Sequence, residues 1–168
     1  MWGTALPNLH PALVHFPIAL LSAAVLFDAA CLALRRQVWL DRAAAALYGL
    51  GALGAWAAFL AGGSAEEGLR DVAPPVEALI EQHEEWAERT LWSVAILALA
   101  RVAFAWWQRR EPEVRRLGAR MGILALAGVA MWLMMQTADF GGALVYRHGV
   151  AVGGAPGIAE GSAAAAED

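Results

Sequence analysis

The stretch HPALVHFPIALLSAAVLFDAACLAL, residues 10–34, decides the fold class of this chain. A helix needs about 20 mostly apolar residues to cross the roughly 30 Å hydrocarbon core of a membrane. This stretch has that length, and Asp28 is its only acidic or basic side chain apart from two histidines. It is too long for the apolar part of a cleaved signal peptide, and no basic residue precedes it. We therefore predict a permanent transmembrane helix from about Pro11 to Leu34.

The composition of the whole chain agrees with a membrane protein. Of its 168 residues, 60% are hydrophobic and 17% are charged, which is too apolar for an ordinary soluble domain. The sequence has no HExxH zinc motif, nucleophile elbow or phosphate-binding loop, and no basic patch for nucleic acid. We therefore expect neither a hydrolase nor a nucleic-acid-binding protein. The single cysteine, Cys31, is predicted to be a small buried hydrophobe.

Three further apolar runs predict three more transmembrane helices. The four predicted spans cover residues 11–34, 43–62, 90–107 and 118–138. Short connections after the first and third spans make the flanking helices antiparallel neighbours, so we predict an all-α, up-and-down four-helix bundle. The segment before the third span has many helix formers and no proline or glycine. We therefore predict one helix from Val76 to Trp107 that projects about 20 Å beyond the membrane.

The carboxyl-terminal sequence marks the end of this domain. The segment GGAPGIAEGSAAAAED, residues 153–168, is low in complexity and almost without bulky side chains. Such a segment cannot bury enough apolar surface to fold. We predict a membrane domain over residues 1–152 and a disordered tail over residues 153–168.

The distribution of arginine predicts the orientation of the bundle. Arginines cluster in the two short loops, at Arg35, Arg36, Arg42, Arg109, Arg110, Arg115 and Arg116, whereas the segment between the second and third spans is acidic. Because positively charged loops stay in the cytoplasm, both termini and residues 63–89 are expected outside it. The predicted location is the inner membrane of a bacterium, crossed four times, with lipid around the helices.

Two charged residues lie deep in the predicted spans. Asp28 lies seven residues before Arg35, and Arg101 lies eight residues before Arg109, so both are about 10 to 12 Å from the inner boundary. An unpaired charge within a membrane is costly. We therefore predict a structural ion pair between Asp28 and Arg101.

Glycines are predicted to let helices approach one another closely. Gly49, Gly51 and Gly54 lie in the second span, and Gly118 and Gly122 lie four residues apart in the fourth. Small residues at such spacing favour helix packing in membranes, where no hydrophobic driving force acts between helices. We expect these faces to pack within the bundle or to form an oligomer.

The four histidines, His10, His15, His83 and His148, all fall at or beyond the outer boundary of the predicted spans. Neutral imidazole is a common ligand of iron, copper and zinc, and helix bundles build haem and metal sites from facing side chains. Pro11 suits the first turn of a helix, whereas Pro17 should bend the helix beside His15 because it crowds the carbonyl of Leu13. Alternatively, the prolines only start the helix and the histidines hydrogen-bond to nearby backbone.

Three segments carry a resemblance to a known family. They are HPALVHFPIALL at residues 10–21, the histidine at position 83, and GGALVYRHGVAV at residues 141–152. With these motifs the chain resembles the bacterial predicted membrane proteins grouped as domain of unknown function 2231. That family is similar to the small membrane cytochromes with b-type haem. The resemblance implies haem ligation by these histidines and electron transfer, with a periplasmic cytochrome or another redox protein as partner.

One feature differs from those cytochromes. They place haems toward both membrane faces, whereas no histidine in this sequence reaches the inner half of a predicted span. We therefore do not expect electron transfer across the membrane through two stacked haems.

Three functions follow as alternatives. The first is an electron carrier or redox subunit rather than an enzyme, in which His15 is the principal ligand of haem b because it lies on a helix near the apolar boundary. His83 or His148 would be its partner, and His10 would bind a second haem or a metal. The second is a copper or zinc site formed by His15, His83 and His148. The third is a structural or assembly subunit without a cofactor.

Overall fold

The computed structural model describes residues 9–34, 37–66, 72–108 and 113–150, and every regular element in these ranges is an α-helix. The elements are α1 (His10–Leu13), α2 (His15–Ala33), α3 (Val38–Glu66), α4 (Pro74–Trp107) and α5 (Glu113–His148). The all-α prediction is confirmed. Residues 1–8 and the predicted disordered tail, residues 153–168, lie outside the described residues.

Four helices are long and apolar enough to cross a membrane. The first is formed by α1 and α2 together, and α3, α4 and α5 are the others. In the bundle α2 packs on α3, α3 on α4, α4 on α5, and α5 closes back on α2, as in the predicted up-and-down arrangement. We call the end where α3 ends and α4 begins the histidine end, and the end where α2 ends and α5 begins the arginine end.

The first transmembrane helix is interrupted beside its second proline. Helix α1 ends at Leu13 and α2 begins at His15, so the interruption falls at Val14. Pro17 has no N–H to bond the carbonyl of Leu13, which accounts for the position of this break. Val14 keeps nearly helical angles, φ −61° and ψ −24°, so the chain turns only slightly before it continues as α2.

The helices extend beyond the predicted spans. Helix α4 is continuous from Pro74 to Trp107, as predicted for Val76 to Trp107. Helix α5 continues past the predicted end of its span to His148, where Gly149 adopts a φ of +64° and its N–H bonds the carbonyl of Val145. This is a left-handed carboxyl cap, which glycine forms without steric cost.

The bundle contains a large buried apolar cluster, and its outer faces are apolar as well. Leu21, Val94 and Leu97 belong to one buried cluster, while Leu26, Leu99 and Met135 on the outside are 69%, 71% and 66% exposed. Apolar side chains on both sides of a helix are expected when the surrounding solvent is lipid. The bundle therefore has the surface of a membrane protein in contact with lipid.

Only some of the predicted glycine faces pack within the bundle. A Cβ added at Gly51 would lie 2.8 Å from the Leu21 side chain, and one at Gly54 would lie 3.3 Å from Pro17. A Cβ at Gly118 or Gly122, by contrast, would meet no described atom within 4 Å. Close approach of α2 and α3 thus depends on Gly51 and Gly54. Gly118 and Gly122 lie on the exposed surface of α5, where an oligomer contact stays a prediction.

Candidate functional site

His10 lies in the first turn of the first transmembrane helix and contacts α3. Its Nδ1 donates a 2.7 Å hydrogen bond to the backbone carbonyl of Ala58. The ring rests on Gly62, where an added Cβ would lie 3.1 Å from His10 Cε1. The missing side chain at Gly62 is therefore what allows the imidazole to lie against the backbone of α3.

His83 makes the equivalent arrangement between α4 and α5. Its Nδ1 donates a 3.0 Å hydrogen bond to the backbone carbonyl of Thr137. A Cβ at Gly141 would lie 2.9 Å from His83 Cε1, which is closer than real Cβ contacts come. His83 thus also occupies a position that a glycine on the neighbouring helix makes possible.

A pair of hydroxyl groups lies beside the carbonyl that accepts from His83. Thr137 Oγ1 donates to the carbonyl of Leu133 at 3.0 Å, and it lies 2.8 Å from Thr90 Oγ1. Because the single hydroxyl hydrogen of Thr137 is used in the first bond, Thr90 must be the donor in the second. These bonds join α4 to α5 next to the imidazole.

The two imidazoles meet at the histidine end of the bundle. The ring centroids of His10 and His83 are 6.3 Å apart, and the ring planes are nearly perpendicular, at 86°. Because a carbonyl oxygen can only accept, Nδ1 of each ring carries the hydrogen, and Nε2 is the basic nitrogen of the neutral ring. Both rings are thereby held in the tautomer in which Nε2 can ligate a metal.

His15 and His148 lie elsewhere. The His15 ring is exposed, and its Nδ1 bonds the carbonyl of Pro11, 2.7 Å away on the same helix. Because the helix is only slightly interrupted at Val14, His10 and His15 remain about 140° apart around its axis. His148 is exposed at the end of α5. Within the described residues, the structure brings His10 and His83 together and adds neither of the other two.

Aromatic side chains of α4 and α5 pack together one helical turn from His83. The Trp86 ring stacks on Phe140, with centroids 6.2 Å apart and planes at 20°, and meets the edge of Trp132 at 5.6 Å. The Arg89 guanidinium lies 5.0 Å from the Trp86 ring centroid. Aromatic pairs of this geometry stabilise packing beyond their buried area. They fix α4 against α5 where His83 crosses between them.

A second polar group of residues lies toward the arginine end. Arg101 Nε lies 3.0 Å from Asp28 Oδ2, the two residues that the sequence predicts to pair. Arg120 Nη1 lies 2.5 Å from Asp28 Oδ1, and both arginines contact Asp41 Oδ1, at 2.8 Å and 2.6 Å. Gln108 Nε2 donates to Asp41 Oδ2 at 2.5 Å. We call Asp28, Asp41, Arg101, Gln108 and Arg120 the charge cluster; it takes side chains from all four transmembrane helices.

Donor atoms at the charge cluster lie close enough together to hold a metal ion, but the two guanidinium groups beside them would repel a cation. Donor atoms of Asp28, Cys31 and Asp41 lie within 4.8 Å of one another. However, all four carboxylate oxygens already accept hydrogen bonds from Arg101, Arg120 or Gln108. Two guanidinium charges at this distance would repel a cation. The arrangement acts as a clamp between helices, as the ion-pair prediction anticipated in simpler form.

Sequence reasoning missed several of these residues. Arg120 lies inside the predicted span 118–138, and that position was a signal that it needs a buried partner. Asp41 and Gln108 lie just outside predicted spans, where polar residues are ordinary. No feature of the sequence identifies the carbonyls of Ala58 and Thr137 as acceptors, because every residue has a backbone carbonyl.

Comparison with known proteins identifies the family. Residues 6–154 match the family model described as predicted membrane protein (DUF2231), and this range contains both quoted motifs, 10–21 and 141–152. Searches of curated proteins and of solved structures found no match. The family model covers well over half of the chain. The chain therefore belongs to the predicted membrane protein family DUF2231.

Proposed function

We propose that this protein binds b-type haem at the histidine end of the bundle, that His10 and His83 would hold its iron, and that the protein serves electron transfer. The observation that carries the proposal is the pair of nearly perpendicular imidazoles with centroids 6.3 Å apart. Each imidazole comes from a different transmembrane helix.

The separation of the rings fits a shared iron. A metal–imidazole nitrogen bond is about 2.0 Å long, and adding the nitrogen-to-centroid distance twice gives a centroid separation of roughly 6 Å for two ligands on opposite sides of one metal. The measured 6.3 Å agrees with this value. The hydrogen bonds from Nδ1 to Ala58 and Thr137 are the partners that ligating histidines ordinarily have.

The residues around the pair hold the two rings for this role. The carbonyls of Ala58 and Thr137 fix the tautomer and make each imidazole a better electron donor. Gly62 and Gly141 allow the rings to lie against α3 and α5. Both rings are partly buried. Bound haem would supply one-electron transfer.

This proposal changes the ligand chosen from the sequence. The sequence predicts His15 as the principal ligand, because it lies on a helix near the apolar boundary. In the structure, His15 is exposed and bonds its own helix, whereas His10 faces α3 and approaches His83. We choose His10 because it lies on the helix face that packs against α3, whereas His15 lies on an exposed face.

The orientation proposed here follows the arginines. Loops rich in arginine flank the arginine end of the bundle, so we place that end in the cytoplasm and the histidine end outside. In a bacterial inner membrane, the site would then exchange electrons with a redox protein in the periplasm. Because the rings lie at one end only, the proposal includes no haem at the opposite face.

The absorption spectrum of protein purified from cells supplied with haem tests the proposal. We expect a Soret band and a sharp alpha band on reduction, both lost in His10→Ala and in His83→Ala. His15→Ala and His148→Ala are the matched controls and should keep the bands. Loss in His15→Ala with retention in His10→Ala would restore the ligand chosen from the sequence.

Two other outcomes would replace the proposal. Protein without haem bands that contains stoichiometric copper or zinc, lost in His83→Ala, would indicate a histidine metal site. Protein with neither haem nor metal, whose melting temperature falls in His83→Ala and in His10→Ala, would indicate that the imidazoles only join helices.

A further inference from the structure

Among the described residues, two buried polar atoms toward the arginine end of the bundle lack a hydrogen-bond partner. Tyr48 and Arg101 are both 0% exposed. Within the described residues, Tyr48 Oη and Arg101 Nη1 form no hydrogen bond. Leaving a buried donor unsatisfied is costly, and more so when it is charged. Two such donors therefore point to a bound polar ligand.

The two side chains belong to one region. Tyr48 lies seven residues after Asp41 on α3, and two helical turns bring both residues to the same face. Side chains in a helix lean toward its amino terminus, which directs the Tyr48 phenol toward Asp41 and the charge cluster. Tyr48 belongs to the same buried cluster as Ala24, Leu97 and Ala98, which lie one helical turn from Asp28 or Arg101. The hydroxyl and the guanidinium therefore adjoin the same polar volume.

Charge decides what kind of group can bind there. The two carboxylates and two guanidiniums of the charge cluster cancel. A bound anion or cation would leave an uncompensated charge among buried residues, which is expensive. Every carboxylate oxygen already accepts a hydrogen bond, so the missing partner is a neutral acceptor. A water molecule meets this requirement, because it accepts two hydrogen bonds and donates two.

We propose that the bundle contains an internal water site in which a bound water accepts from Arg101 Nη1 and bonds Tyr48 Oη. This hydrated site extends the charge cluster toward the centre of the membrane. It is independent of the haem proposal, because it lies among other residues, toward the opposite end of the bundle.

The sign of the stability change in Tyr48→Phe distinguishes a hydrated site from a dry one. A hydroxyl bonded to water contributes to stability, so its removal should lower the melting temperature by about 2 to 4 °C. An unbonded buried hydroxyl is a cost, so its removal would leave the melting temperature unchanged or raise it. Tyr146→Phe is the matched control, because Tyr146 is 90% exposed and should show no change.

Oxidative labelling of the wild-type protein provides a second test that needs no variant. Radiolysis of bound water produces hydroxyl radicals in place, so Tyr48 should be oxidised although it is 0% exposed. Met134 is the buried control, because it is 9% exposed and its readily oxidised sulfur reports radicals that enter the bundle from outside. Oxidation of Tyr48 at least as fast as that of Met134 supports the site. No oxidation of Tyr48, or a Tyr48→Phe melting temperature that holds or rises, overturns it.

Discussion

Arg101 Nε donates a 3.0 Å hydrogen bond to Asp28 Oδ2 across 73 residues of sequence, and both side chains are completely buried. Asp28 also accepts from Arg120, and both arginines reach Asp41. The pair thus belongs to a four-residue network in which each carboxylate accepts hydrogen bonds from both guanidinium groups. Removing any one member leaves a buried charge short of a partner, which explains why substitutions here should be costly.

We predict that Asp28→Asn destabilises the bundle by about 3 to 5 kcal/mol, because it leaves buried guanidinium groups without their counter-charge. Adding Arg101→Gln should restore part of this loss and no more, since Arg120 loses its ion pair with Asp28 and keeps only Asp41. Thermal unfolding of the detergent-solubilised single and double variants measures the coupling. Strictly additive losses would show that the two residues do not interact.

We predict that Arg120→Gln destabilises the protein about as much as Arg101→Gln, because both arginines contact both carboxylates. Arg116→Gln is the matched control: it lies four residues earlier on the same helix and is exposed, so its effect should stay within about 0.5 kcal/mol. Comparison of the three melting curves checks the prediction. Equal effects at positions 116 and 120 would contradict the clamp.

We predict that Gly141→Ala displaces His83, because the new Cβ would lie 2.9 Å from its Cε1. The overpacking should cost about 1 to 3 kcal/mol and weaken any spectral signal that depends on His83. Gly142→Ala is the control on the next residue, where the nearest side-chain atom, Tyr146 Cδ2, is 3.9 Å from the new Cβ. Equal melting temperatures and equal absorption spectra for Gly141→Ala and Gly142→Ala would contradict the displacement of His83.

The corresponding glycine on α3 allows the same comparison for His10. A Cβ at Gly62 would lie 3.1 Å from His10 Cε1, whereas one at Gly63 would meet no described atom within 4 Å. Both substitutions replace a flexible glycine within a helix, so they share that effect on stability. Gly62→Ala should nevertheless melt at a lower temperature than Gly63→Ala, because only the Cβ at position 62 meets His10. A lower melting temperature for Gly63→Ala than for Gly62→Ala would argue against packing of His10 on α3.

We predict that the histidine end lies outside the cytoplasm, because the arginine-rich loops adjoin the other end. A reporter enzyme that is active only outside the cytoplasm should work when fused after Val152 and be silent when fused after Arg110. The reverse pattern would invert the orientation and place the imidazole pair on the cytoplasmic side.

The sequence by itself determined the class of the fold and the position of its elements. Apolar runs of membrane-spanning length require helices, since lipid offers no partner to an open backbone, and short connections between them force antiparallel neighbours. The continuous helix through residues 76–107 and the break beside Pro17 also followed from local chemistry. The pairing of Asp28 with Arg101 could be expected from depth alone, because the cost of an isolated charge in a membrane is so large.

Only the tertiary structure decided which histidines meet and how many residues share the buried charges. His10 and His15 lie near the start of the same transmembrane helix, but the rotation of the helix about its axis turns His10 toward α3 and His15 outward. Rotation depends on which faces pack, and here Gly51, Gly54 and Gly62 set that packing through contacts with Leu21, Pro17 and His10. Contacts between helices are non-local and sum over many weak side-chain interactions, so no short stretch of sequence specifies them.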